Sequence, residues 1–201
     1  TQKISRIKRY FNYSIFYRIF NCMIFIIEGL DRTGKTTLKE NIRKNFTDKK
    51  LLTFHISNIK SLSNILAESY NRAMYFKYFT LLEENHKTQD FIFDRFHLGE
   101  FVYSPVYRNY NGSYVFEYEQ KILNSEVYLI LLISSDLKIL EKREDGNSIS
   151  RGNFSFLEKE QNLFLEAFNL SRIKNKLIID IKDKSAEEVY KEAELFLKQS
   201  F

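Results

Sequence analysis

Residues 23–37 read MIFIIEGLDRTGKTT. The first seven form a short apolar run that ends in Gly29, the pattern of a strand buried on both faces of a parallel sheet. Gly29, Gly34, Lys35 and Thr36 satisfy G-x-x-x-x-G-K-[ST], directly after that strand and at the opening of a helical pattern. A loop of this kind presents backbone N–H groups to a phosphate at a helix N-terminus. Lys35 then neutralises terminal phosphate oxygens, and the Thr36 hydroxyl is placed to bind Mg²⁺. Thr33 and Thr37, beside these residues, belong to the same nucleotide-binding set. The chain has only six glycines, and two placed this way beside Lys-Thr argue against an incidental turn.

Working outward, comparable apolar runs recur at 51–56 (LLTFHI), 90–94 (DFIFD), 127–133 (VYLILLI) and 176–181 (KLIIDI). Helical patterns lie between them, at about 35–46, 61–86, 97–124 with one break, 136–144, 154–172 and 185–199. Strands alternating with longer helices predict an α/β fold, a five-stranded parallel sheet with helices on both faces. Ser185 followed by Glu188 three residues on is a capping-box signature for the last helix. No repeat or low-complexity linker divides the chain.

The run FIFDRFH places Asp94 at the carboxyl end of the third strand, the edge where open α/β sheets bind ligands. A carboxylate there can hold Mg²⁺ through water or accept a proton from an attacking group. Arg95 beside it is a fork-shaped donor suited to phosphate.

Composition bounds the rest. At 201 residues and 44% hydrophobic content, the chain is the size of one domain with a real core. One cysteine, Cys22, excludes an internal disulfide framework, and the three histidines show no metal-site spacing. The formal charge is +5, but residues 1–22 alone carry Lys3, Arg6, Lys8, Arg9 and Arg18 with no acid. The remainder balances to neutral, so no nucleic-acid partner is expected. Residues 1–22 read as a basic extension, with Met23 as a candidate start, and residues 23–201 as a single domain. The extension is compatible with a transit peptide or an interfacial helix, whereas Arg18 and Asn21 disfavour a membrane span. A cytoplasmic site is expected, with organelle targeting through the basic segment as the alternative.

These motifs resemble the thymidylate kinase family and, more broadly, the nucleoside and nucleoside-monophosphate kinases. IIEGLDRTGKTTL is similar to that family's phosphate loop, including the Asp31-Arg32 pair, and DRFH resembles its Asp-Arg-Tyr segment with Phe96 in place of Tyr. Arg72 in YNRAMYF matches an arginine that contacts the acceptor phosphate, and Arg143 matches the first arginine of the lid. The resemblance implies a P-loop kinase fold with a short lid, ATP-dependent phosphorylation of dTMP with Mg²⁺, and a homodimer. It also implies that Asp31 lies near the acceptor and that Arg32 stabilises the transferring group. On this reading Lys35, Arg32, Asp94 and Arg143 are the catalytic candidates, and Thr36 and Asp94 the metal candidates.

The continuation FHLGEFVYSPVYR departs from the family's Ser-rich, Ala-Tyr-Gln pattern. Tyr103, Tyr107 and Arg108 either face the acceptor or, for the tyrosines, belong to an aromatic core. Arg72, Arg95 and Arg108 together favour a phosphate-bearing acceptor. The stretch 142–154, with two glycines and the arginines Arg143 and Arg151, reads as a lid that closes over the donor or as a solvated surface loop. Two other functions stand beside the leading one. A nucleoside kinase would phosphorylate a 5′-hydroxyl and need a general base, for which Asp94 and Glu28 are candidates. A regulatory nucleotide-binding module without turnover is the other.

Overall fold

The computed structural model describes residues 22–45, 51–56, 64–143 and 153–199. Five strands form one all-parallel sheet: β1 (Met23–Gly29), β2 (Leu52–His55), β3 (Phe91–Asp94), β4 (Glu126–Ile133) and β5 (Asn175–Asp180), in the order β2-β3-β1-β4-β5. Ile24, Phe25, Ile26 and Ile27 are wholly buried, as an unbroken apolar run in a central parallel strand requires. The helices are α1 (Lys35–Asn45), α2 (Asn64–Asn85), α3 (His97–Tyr103), α4 (Val115–Glu119), α5 (Lys138–Lys142), α6 (Phe154–Leu170) and α7 (Ala186–Lys198). Helix α2 turns Tyr75, Phe79 and Leu82 into the core at i, i+4, i+7 spacing. Helix α7 opens with the predicted capping box, Ser185 Oγ accepting from the Glu188 N–H and the Glu188 carboxylate from the Ser185 N–H.

The segment 97–124 differs from the expected helix with one break. Helix α3 ends at Tyr103 and passes into a π-helical turn over Ser104–Arg108 that contains Pro105; Asn109, at φ 58°, then closes the turn, and α4 and a 3₁₀ turn (Gln120–Ile122) come after it. Proline has no N–H to give the ladder and crowds the preceding turn, so the α-helix cannot run on.

The order of the sheet positions the site. The connection from β1 leads to the β2 side and that from β3 to the β4 side, so the carboxyl ends of these neighbours open a crevice between them. Ile27 pairs with Asp94 in the β1/β3 register, which sets the end of β3 against the beginning of the phosphate loop. Among the described residues no helix is long and apolar enough to cross a membrane. The basic segment 1–21 and most of the stretch between α5 and α6, including Arg151, lie outside the described residues.

Candidate active site

The loop between β1 and α1 owes its shape to two glycines. Gly29 has φ +135°, and a Cβ there would sit 2.2 Å from the Leu132 carbonyl oxygen on β4; Gly34 has φ +93° in open space. Side chains tolerate neither backbone conformation well, so both positions require glycine. Thr33 Oγ1 donates to the Leu30 carbonyl at 2.8 Å, bracing the loop from inside. Leu38 N–H donates to the Gly34 carbonyl at 2.9 Å, which starts α1 at the loop's end.

Lys35 folds back over this loop, its Nζ donating to the Gly29 carbonyl at 2.9 Å and to that of Leu30 at 2.5 Å. Burial lowers its pKa to about 8, helped by the Arg95 charge and opposed by Asp31, Asp94 and Glu28. The ammonium thus rests on neutral carbonyls, poised to exchange them for an anion.

Asp94 is buried at the end of β3 and gathers three groups on one oxygen. Its Oδ2 accepts from Thr36 Oγ1 at 2.6 Å and lies 3.6 Å from Lys39 Nζ and 3.5 Å from His55 Nδ1. Burial pushes its pKa up, yet the Thr36 hydroxyl and the charges of Lys35, His55 and Lys39 hold it below the usual carboxylate value. Its Oδ1 is buried without a hydrogen-bond partner. A hydroxyl and a carboxylate with an uncommitted oxygen are the hard oxygen donors that Mg²⁺ prefers, so the residues present fit that ion.

Arg95 comes next in a left-handed conformation, φ 71°. Its Nη2 donates to Asp31 Oδ1 at 2.6 Å, while its Nε is buried without a partner. Asp31 and Arg95, 64 residues apart, thereby cross the crevice. Arg32, also left-handed at φ 67°, donates from Nη1 to the Leu140 carbonyl of α5 at 2.8 Å. Arg143, just past the end of α5, is exposed and donates to the Arg32 carbonyl at 3.3 Å. One cleft of about 300 Å³ is lined by Arg32, Lys35, Thr36, Asp94, Arg95 and Arg143. A second, of about 170 Å³, lies on the other side of the loop against Thr37, Ile181, Lys184 and Val189.

The other described sequence candidates stand away from these clefts. Arg72 Nε donates to Glu68 at 2.9 Å, and its guanidinium lies 4.2 Å above the Tyr114 ring. Arg108 donates to Glu100 Oε2 at 2.6 Å, and Glu100 Oε1 also accepts from Tyr110 and Tyr114. Glu100 is buried, so Arg108 is held as the counter-charge that a buried carboxylate demands. Tyr103 is a core aromatic, edge-on to Phe164 at 5.8 Å. Glu28 is fully buried; its Oε1 accepts backbone N–H groups, its Oε2 has no hydrogen-bond partner, and burial pushes its pKa up.

Glu160 on α6 is a residue that sequence reasoning misses. It is buried, accepts a hydrogen bond from the Tyr107 hydroxyl, and feels the charges of Asp31, Lys35 and Arg32. Burial raises its pKa to about 7, with the Tyr107 donation opposing. A signal exists: α6 buries Leu157, Glu160, Phe164 and Ala167, a helical stripe interrupted by one acid. Lys39 and His55, which flank Asp94, are missed in the same way.

A parallel sheet with a phosphate loop after β1, a carboxylate closing β3 and arginines gathered over both defines a P-loop phosphotransferase. The sequence profile of the thymidylate kinase family matches residues 27–193, and the chain belongs to that family. Among solved structures it is similar to the YorR protein of Bacillus subtilis in complex with phosphorylated GDP, with 17% identity, 88% of this chain and 96% of that one covered, and a TM-score of 0.65. Thymidylate kinase from Candida albicans gives 18% identity, 90% and 92% coverage, and a TM-score of 0.65. Polyphosphate kinase 2 from Arthrobacter aurescens TC1 gives 12% identity, 88% and 67% coverage, and a TM-score of 0.59. At these identities the structural likeness speaks for the fold. No curated protein matches the chain significantly.

Proposed function

We propose that the protein transfers the γ-phosphoryl group of ATP to the phosphate of a nucleoside monophosphate, with dTMP as the acceptor that its family favours. The observation that carries this reading is the convergence of Lys35, the Thr36–Asp94 pair and the Arg95–Asp31 pair on one crevice. Phosphoryl transfer asks little covalent chemistry of a protein; positioning and charge stabilisation supply most of the catalysis.

In this reading the nucleoside part of ATP occupies the smaller cleft, and the loop N–H groups hold its phosphates. Lys35 leaves the Gly29 and Leu30 carbonyls for the β and γ oxygens. Thr36 and Asp94 would hold Mg²⁺, which when bound neutralises charge on the phosphate chain. Arg95 approaches the acceptor phosphate through its uncommitted Nε, and Asp31 fixes the guanidinium plane. Arg32 and Arg143 face the transferring group from the α5 side. An acceptor phosphate oxygen forms the new P–O bond, the bond from the γ-phosphorus to the bridging oxygen breaks, and ADP departs.

One observation favours a second reading, a nucleoside acceptor. Arg72 and Arg108 are each paired with an acid, which leaves less positive charge for an acceptor phosphate. Asp94, with Oδ1 uncommitted, would then be the general base. A coupled ADP-release assay with ATP and Mg²⁺ separates the two, run across thymidine, dTMP and the purine and pyrimidine nucleosides and monophosphates. The panel spans purines because one structural neighbour was solved with phosphorylated GDP and the Candida albicans enzyme is described as having broad substrate specificity. Turnover with a monophosphate but not its nucleoside is expected; the reverse overturns the leading reading.

A further inference from the structure

Arg95 sits in a left-handed backbone conformation, φ 71°, that needs outside support, and Phe96 follows it directly. Phe96 also occupies the N-cap of α3 and makes no side-chain cap bond there, where Ser, Thr, Asp or Asn would ordinarily satisfy the first free N–H groups. The acceptor comes instead from β1. Glu28 Oε1 receives the N–H groups of Phe96 at 2.9 Å, Leu98 at 2.9 Å and Gly99 at 3.3 Å, from residues 68 to 71 positions away. The neighbouring Ile27 carbonyl accepts the Arg95 N–H at 3.0 Å. Phe96 is held from its other sides as well, its ring 4.3 Å from that of Phe93 and its carbonyl accepting from Tyr75 at 3.2 Å.

We propose that Glu28 is a positioning residue for Arg95: by accepting the Phe96, Leu98 and Gly99 N–H groups it fixes the turn after β3 and sets the Arg95 guanidinium against Asp31. Three backbone donors meet on one buried carboxylate oxygen, and hydrogen bonds are stronger and hold geometry more tightly in a buried setting than in water. Glu28 is not among the residues that line the cleft, and its hydrogen bonds to the turn all run to backbone N–H groups. This role explains why a carboxylate sits, fully buried, one residue before the first glycine of the loop: the strand that launches the phosphate cradle also locks the arginine of the opposite strand. The conformation is over-determined by surrounding bonds, as strained residues at functional sites are.

The effect on turnover rests on the proposed role of Arg95; the effect on geometry does not. The test compares Glu28→Gln, which keeps an acceptor oxygen, with Glu28→Asp, which withdraws it by one methylene, each alone and combined with Arg95→Lys, with folding checked by thermal melting. Glu28→Asp is expected to lower kcat about tenfold or more while KM for ATP stays within about twofold, and Glu28→Gln to recover most of that loss. The Nε–H resonance of Arg95 in ¹⁵N-labelled protein should move in Glu28→Asp, and in the Arg95→Lys background the substitution should add little further loss. An unmoved Arg95 resonance in folded Glu28→Asp, or losses that multiply fully in the double variant, overturns the proposal. If the wild-type protein transfers phosphate to no nucleotide or nucleoside, the functional reading fails, and the Arg95 resonance still decides the role of Glu28.

Discussion

The two sides of the crevice are built in different ways. On the donor side, Gly29, Gly34, Lys35 and Thr36 lie within eight consecutive residues, and their function is carried by backbone geometry that local sequence dictates. On the side of α3 and α6, polar groups meet across long separations: Tyr107 with Glu160 over 53 residues, Asn71 with Tyr110 over 39. The first is a motif and the second a folded arrangement. A phosphate loop therefore tolerates little change in its own residues, whereas the other side depends on partners that no short stretch specifies.

Lys35→Ala presses hardest on the donor side. Turnover should fall by about a thousandfold or more with the melting temperature little changed, since Lys35 bonds only loop carbonyls; retained activity would break the comparison there. On the other side the largest effect falls on stability. Glu100→Ala leaves Arg108 a part-buried charge without its carboxylate partner, beside Tyr110, and denaturant unfolding should record a loss of about 3 kcal/mol.

Glu160→Gln reads the same region through pH. The native carboxyl titrates near 7 against an ordinary 4.5, so the folded protein holds a proton that the unfolded chain releases. Stability should accordingly fall as pH rises from about 4.5 to 7 and level off above. Glu160→Gln should flatten that fall, and an unchanged pH profile would count against a buried, proton-holding Glu160. The smallest structural effect belongs to Arg72→Ala: its pair with Glu68 is half-exposed and worth under about 1 kcal/mol. The family resemblance makes Arg72 an acceptor contact, which requires it to leave Glu68; on that reading Arg72→Ala raises the acceptor KM about tenfold and leaves the ATP KM alone, whereas an Arg72 held at Glu68 changes neither.

The same contrast explains what is legible in the sequence. Five apolar runs and the helical patterns between them are enough for the parallel sheet, and FIFDRFH places Asp94 and Arg95 at its working edge. Periodicity identifies which face of an element is buried but not what it meets. Glu160 is therefore absorbed into a core stripe, Lys39 and His55 pass as surface charges, and Arg108 looks available although Glu100 holds it. Pro105 marks the break in 97–124, but a proline does not say that the chain continues as a π-helical turn carrying Tyr107. Glu28 sits inside the most readable stretch of all, yet its partners are nearly seventy residues away.

The central claim is that a phosphate, already on a nucleoside, receives the γ-phosphoryl group of ATP. Phosphorus NMR of the products from ATP and Mg²⁺ with dTMP, and in a parallel sample with thymidine, tests it most directly. The account predicts a coupled pair of α and β resonances from a nucleoside diphosphate distinct from ADP, absent with Lys35→Ala. A new monophosphate resonance from thymidine, with dTMP left unchanged, would contradict it.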